Sequence, residues 1–137
     1  MRKPILCLDF DGVIHSYSSG WKGADTIPDD PVEGAIAFMR EAVDHFTVHI
    51  FSSRSNQPGG LEAMREWLGD HVAKERIDDD EDLAWATLIE WPLEKPPALV
   101  TIDDRAITFT GAWPEMAELM AFKPWNKQHP WWRRRLP

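Results

Sequence analysis

The strongest constraint on the fold is an apolar run, Ile5 to Phe10, that closes on Asp11-Gly12. Apart from Asp9 every residue in it is apolar, and a run this short reads as a buried strand ended by a tight turn. Such strands belong to the centre of a parallel sheet rather than to a half-exposed antiparallel one. Two later segments follow the same plan. Thr47 to Phe51 is β-branched and apolar and runs into Ser52-Ser53-Arg54, and Ala98 to Ile102 runs into Asp103-Asp104.

Helical signals lie between the strands. Val32, Ile36, Met39, Val43 and Phe46 recur at helical spacing, which gives one apolar stripe. Leu61, Met64 and Leu68 mark a second helix that runs past Gly69. Residues 15 to 31 are rich in Ser, Gly, Asp and Pro and form a loop, which carries Tyr17 and Trp21. Thr87 to Trp91 and Ile107 to Phe109 are candidate short strands, and Pro114 to Phe122 is a candidate helix with Pro in its first turn. Strands alternating with helices predict an α/β fold with a mainly parallel sheet covered on both faces. The chain has 137 residues and is 43% hydrophobic. It therefore suits a single domain spanning 1–137, with no linker long enough to divide it.

Charge and cysteine content narrow the setting. The net charge of −8 argues against a general nucleic-acid binder. Residues 122–137 hold five Lys or Arg and no acid, so the rest of the chain carries −13. That basic tail also holds Trp125, Trp131 and Trp132. Basic residues interleaved with aromatics could contact single-stranded nucleic acid or an acidic partner, or the tryptophans could pack on the sheet. The lone Cys7 excludes an internal disulfide and reads as a small buried hydrophobe. The N-terminal apolar run is too short for a signal peptide, and no stretch approaches the roughly 20 residues of a membrane span. A cytoplasmic setting is expected. The acidic run Asp78 to Asp82 lacks the glycine and distal Glu of a calcium-binding EF-hand loop, and reads as a solvated loop or helix start.

In parallel α/β sheets, ligands bind beyond the carboxyl ends of the strands. Asp9, Asp11, Ser52 and Asp103 all fall at or just past such an end. Residues i and i+2 of a strand share a face, so Asp9 and Asp11 can flank one reacting atom. One carboxylate can attack phosphorus. The other can protonate the leaving oxygen and later activate water. Asp103 with Asp104 can hold a cation, and hard carboxylate donors suit Mg²⁺. Ser52 offers a hydroxyl to a phosphate oxygen, and Lys95 a fixed positive charge.

The order of these pieces resembles the haloacid dehalogenase-like (HAD) superfamily. Leu8-Asp9-Phe10-Asp11-Gly12-Val13 is similar to its first motif, and Ile50-Phe51-Ser52-Ser53-Arg54 to its second. Lys95 is similar to the third, and Val100-Thr101-Ile102-Asp103-Asp104-Arg105 to the fourth. The resemblance covers about Ile5 to Trp113. It implies a Rossmann-like three-layer α/β/α sandwich and a Mg²⁺-dependent phosphatase working through an aspartyl-phosphate. Asp9 would be the nucleophile and Asp11 the general acid and base, with its backbone carbonyl on the metal. Ser52, or Ser53 if the strand end slips by one, would bind the transferring phosphate. Gly12 and Arg54 would contact substrate beside them, and Lys95 would steady nucleophile and phosphate. Asp9, Asp11, Asp103 and Asp104 would surround the metal.

Many members carry a substrate-selecting cap. Here the Gly12–Val32 loop is short, and Ser52 to Lys95 spans only 43 residues, so no cap is expected. The Tyr17–Trp21 loop is the nearest substitute for a lid, with His15 a candidate substrate contact. The expected substrate is a phosphorylated small molecule (nucleotide or sugar phosphate) or a nucleic-acid end phosphate, with no membrane partner. Two alternatives stand beside hydrolysis: a binding module with little turnover, and phosphoryl transfer to an acceptor other than water.

Overall fold

In the computed structural model, which describes residues 2–78 and 81–127, Ile5–Leu8 forms the central strand β1. Leu6, Cys7 and Leu8 are all buried, as the unbroken apolar run predicts. Strand β2 (Thr47–Ile50) and strand β3 (Val100–Ile102) flank it, both parallel to it, in the order β2-β1-β3. Leu8 is level with Ile50 on one side and with Ile102 on the other. All three carboxyl ends therefore finish at the same height.

Parallel neighbours need long crossovers. Helix α1 (Ala35–Ala42) lies between β1 and β2 in the chain, and helix α2 (Gly60–Lys74) between β2 and β3. The first buries Ile36, Met39 and Ala42, and the second buries Met64, Trp67, Leu68 and Val72. These side chains join Leu6, Leu8, Phe10, Val48 and Ile50 in one core. The result is a small α/β fold. No helix among the described residues is long and apolar enough to cross a membrane.

Several elements differ from expectation, each for a local reason. Helix α1 starts at Ala35 rather than Val32, because Gly34 sits in left-handed backbone at φ 86°. The Val32 N–H instead bonds the Ile14 carbonyl, tying the 15–31 loop to the core. Thr87 to Trp91 is not a strand. Ala84–Leu88 is a 3-10 turn, and only Glu90 pairs with β2, through one N–H and one carbonyl. Pro92 has no N–H with which to extend that ladder. Ile107 to Phe109 forms no strand, and both end residues are exposed. Helix α3 (Met116–Met120) starts two residues after Pro114, because Glu115 is extended (ψ 151°). Of the acidic run, Glu81 pairs with Arg40 and the Asp82 carboxylate accepts the Ala84 N–H; Asp79 and Asp80 lie outside the described residues. So do Trp131, Trp132 and Arg133–Arg135 of the tail.

Candidate functional site

The strand ends are locked together by backbone hydrogen bonds that continue the ladders. The Asp9 N–H donates to the Ile102 carbonyl at 3.0 Å, and the Phe51 N–H donates to the Leu8 carbonyl at 3.1 Å. Asp9, Ser52 and Asp103 follow directly from these residues. They line one cleft of about 270 Å³ together with Ser53, Lys95 and the buried Cys7. A larger cavity of about 360 Å³ lies between α1 and the β1–β3 edge. Its walls are apolar apart from Glu33, so it offers little chemistry.

Behind the cleft is a concentration of negative charge. Carboxylate oxygens of Asp9, Asp103 and Asp104 all lie within 4.8 Å of one another. The Asp104 side chain is 2% exposed, and its Oδ1 has no hydrogen-bond partner among the described residues. The Arg105 guanidinium is 4.0 Å away and largely in solvent. A buried carboxylate oxygen without a donor is costly, and three acids this close repel. Burial is the main reason that Asp9 is pushed up to about 8, followed by its hydrogen bond with Asp104 and the charge of Asp103. A divalent cation would relieve all three problems at once. The donor set of hard oxygens, with room for water, fits Mg²⁺.

The shift on Asp9 has a measurable consequence. Its proton is held more tightly in the folded chain than in the unfolded one, where the group titrates near 3.8. The stabilisation is full below that value and is lost as pH rises through about 8. Metal-free protein is therefore expected to melt at lower temperature at pH 8.5 than at pH 5.5. Added Mg²⁺ should raise the melting temperature more at the higher pH, since a cation takes the place of the proton. Thermal scans at the two pH values, with and without Mg²⁺, check this. A Mg²⁺ effect that is absent, or is larger at pH 5.5, would contradict it.

Gly12 owes its identity to this cluster. Its φ is 84°, and a Cβ added there would run into the Asp104 carboxylate. Gly12→Ala is expected to cost about 1–3 kcal/mol from the backbone alone. It should also weaken Mg²⁺ binding by displacing Asp104. Calorimetric titration with Mg²⁺ reads the second effect, and unchanged affinity would argue against Asp104 as a ligand.

Asp11 faces a different environment. Its Oδ1 accepts from His15 Nδ1 and its Oδ2 from Arg54 Nε, both at 2.9 Å. Burial works to raise its pKa, but these two hydrogen bonds and the guanidinium charge outweigh it, so Asp11 lies below the ordinary carboxylate range. Arg54 is fully buried. Beyond Asp11 it donates to the carbonyls of Gly23, Ala24 and Thr26, and its guanidinium lies 4.6 Å from the Trp21 ring centre. The residue read from sequence as a substrate contact is thus the post around which the 15–31 loop is wound.

His15 is also fully buried, packed among the rings of Phe10, Tyr17 and Trp67. Its Nε2 accepts the Asp29 N–H at 3.1 Å. The proton must therefore sit on Nδ1, pointing at Asp11. From sequence His15 reads as a loop residue or substrate contact; its spacing four residues after Asp11 was the available signal.

Ser52 is buried, and its hydroxyl accepts the Arg54 N–H at 3.2 Å. It caps the 3-10 turn Ser53–Asn56 while bordering the cleft. Ser53 borders the same cleft but is exposed. Lys95 reaches the rim from the segment ahead of β3. Trp125, far along the chain, donates its indole N–H to the Gly12 carbonyl at 2.7 Å.

No family model matches this chain, and no curated protein or solved structure matches it.

Proposed function

We propose that this chain is a Mg²⁺-dependent phosphomonoester hydrolase that works through an aspartyl-phosphate on Asp9. The reading includes a Rossmann-like three-layer α/β/α domain of the HAD type without a cap. One observation carries it. Three adjacent parallel strands end level, and the residues that follow them put Asp9, Ser52 and Asp103 on one cleft with Lys95 at its rim. The carboxylates of Asp9, Asp103 and Asp104 converge there, as a cation-assisted reaction on an anionic ester requires.

Asp103, Asp104 and Asp9 would hold Mg²⁺, which, when bound, supplies positive charge to offset the repulsion between an anionic nucleophile and an anionic phosphate. In the first step an Asp9 carboxylate oxygen forms a bond to phosphorus, and the bond from phosphorus to the ester oxygen breaks. Asp11 in its protonated form gives its proton to that departing oxygen. In the second step a water oxygen attacks phosphorus, and Asp11 takes the water's proton. The Asp9–phosphate bond then breaks, releasing inorganic phosphate and restoring the Asp9 carboxylate. The Ser52 hydroxyl and the Lys95 ammonium would bind the phosphate oxygens throughout.

His15 and Arg54 hold Asp11 ionised in the free protein, which suits the second step. An ester seated against Asp11 buries it further, and that works toward the protonated form the first step needs. Phosphate release from a panel of phosphomonoesters is the test, with and without Mg²⁺, in the wild type and in Asp9→Asn. Release that needs both Mg²⁺ and Asp9 is expected. Release that continues in the variant would sink the mechanism, and none from any ester would favour a binding module.

A further inference from the structure

Two tryptophans far apart in sequence stand beside consecutive residues of the candidate site. Trp21 lies on the Arg54 guanidinium, and Arg54 Nε bonds the Asp11 carboxylate. Trp125 donates its indole N–H to the carbonyl of Gly12, the next residue. Asn126 follows with a hydrogen bond from its side-chain amide to the Ser16 carbonyl, which fixes the segment on the same loop. Each indole is tethered at one edge or face, yet Trp21 is 46% and Trp125 is 49% exposed.

Their position matters because of what Asp11 does in the proposed reaction. Asp11 protonates the leaving oxygen, so the alcohol part of the substrate must lie on the Asp11–Gly12 side of the phosphate. Next to Asp11 and Gly12 the chain holds two half-exposed indoles, Trp21 on the Arg54 guanidinium and Trp125 on the Gly12 carbonyl. Fixed aromatic faces of this kind bind planar rings by stacking, and they do so with any base. A sugar phosphate without a base would leave both indoles wet.

We propose that Trp21 and Trp125 form a stacking platform for a nucleobase, so that the substrate is a nucleotide phosphomonoester, either free or at the end of a nucleic-acid strand. The assignment rests on the phosphatase reading of the cleft. Trp125 contributes a ring face to the base, and its N–H holds that face in place against Gly12.

Binding to the Asp9→Asn protein in Mg²⁺ separates this proposal from the chemistry. Adenosine 5′-monophosphate should bind about tenfold or more tightly than ribose 5-phosphate, in line with one good stack. That ratio should fall toward one in Trp125→Ala and be kept within about threefold in Trp125→Phe, which retains a ring but not the indole N–H. Equal affinity for the two ligands in the wild-type background would overturn the platform, as would a ratio unmoved by Trp125→Ala. A ratio lost equally in Phe and Ala variants would also overturn it, by reducing Trp125 to an anchor. If the ratio holds but the wild type releases no phosphate from either ligand, the platform stands and the hydrolase reading falls. A short oligonucleotide with a 5′-phosphate supplies the last arm: tighter binding than the mononucleotide assigns the site to strand ends, and weaker binding to free nucleotides.

Discussion

An Asp9→Asn protein is expected to release phosphate at least about 10⁴-fold more slowly than the wild type at saturating Mg²⁺, the scale on which removing a covalent nucleophile acts. The amide keeps the shape of the side chain but cannot form a stable bond to phosphorus. The substitution should leave the fold intact, and in metal-free protein it should improve it. Asp9 stands half-buried beside Asp103 and Asp104 and is pushed up to about 8, so an uncharged isostere removes a repulsion. At pH 8.5 without metal, the variant should melt at higher temperature than the wild type. A fall in activity together with a rise in stability cannot be attributed to misfolding. Acid-quenched reactions should show labelled phosphate bound to wild-type protein and none on the variant. Activity within tenfold of wild type, or label still bound to the variant, would exclude Asp9 as the nucleophile.

Arg54→Met is expected to have the largest effect on stability. The side chain is fully buried and joins Asp11 to the carbonyls of Gly23, Ala24 and Thr26 under the Trp21 ring. Methionine fills much of the volume but supplies no donor. The Asp11 carboxylate loses its counter-ion in a largely buried place, and three loop carbonyls lose their donor. Breaking a buried pair from one side costs about 3–5 kcal/mol, a large share of the 5–15 kcal/mol that typically holds a domain together. Urea unfolding at neutral pH measures it. The 15–31 loop should also become open to limited proteolysis. Arg54→Lys should recover little, since one ammonium cannot serve Asp11 and the three carbonyls as a planar fork does. A loss under about 1 kcal/mol would mean the network is a consequence of the loop's path rather than its cause.

The same residue shows where sequence reasoning stops. Arg54 follows a strand ending in serine, and the local pattern points it at a phosphate. Its actual partner, Asp11, is 43 residues away, and the loop carbonyls it holds belong to a segment with no periodicity. A polar, irregular stretch such as 15–31 reads only as a loop, so its wrapping around a buried guanidinium leaves no trace in composition. Glu90 gives a smaller case. Its two backbone bonds to β2 depend on where β2 runs, while its own neighbours suggest only a short apolar strand.

What the sequence by itself determined is the type and place of the main elements and which polar residues stand at their ends. The Ile5 to Leu8 run is best satisfied in the middle of a sheet, because all four of its side chains are apolar. Helical spacing located α1 and α2, since a 3.6-residue repeat of apolar side chains marks the buried face directly, but α1 covers only Ala35–Ala42 of the Val32–Phe46 stripe. Asp9 and Asp103 were legible as strand-end residues because each follows its strand at once, and Ser52 follows one residue later. Only the tertiary structure decided that β1 lies between β2 and β3 with all three ends level, and so that these residues meet. It alone buried His15 and Arg54 against Asp11, and brought Trp125 onto Gly12 across 113 residues. Periodicity records how much of a segment is buried, whereas the choice of partner follows from packing the whole chain at once.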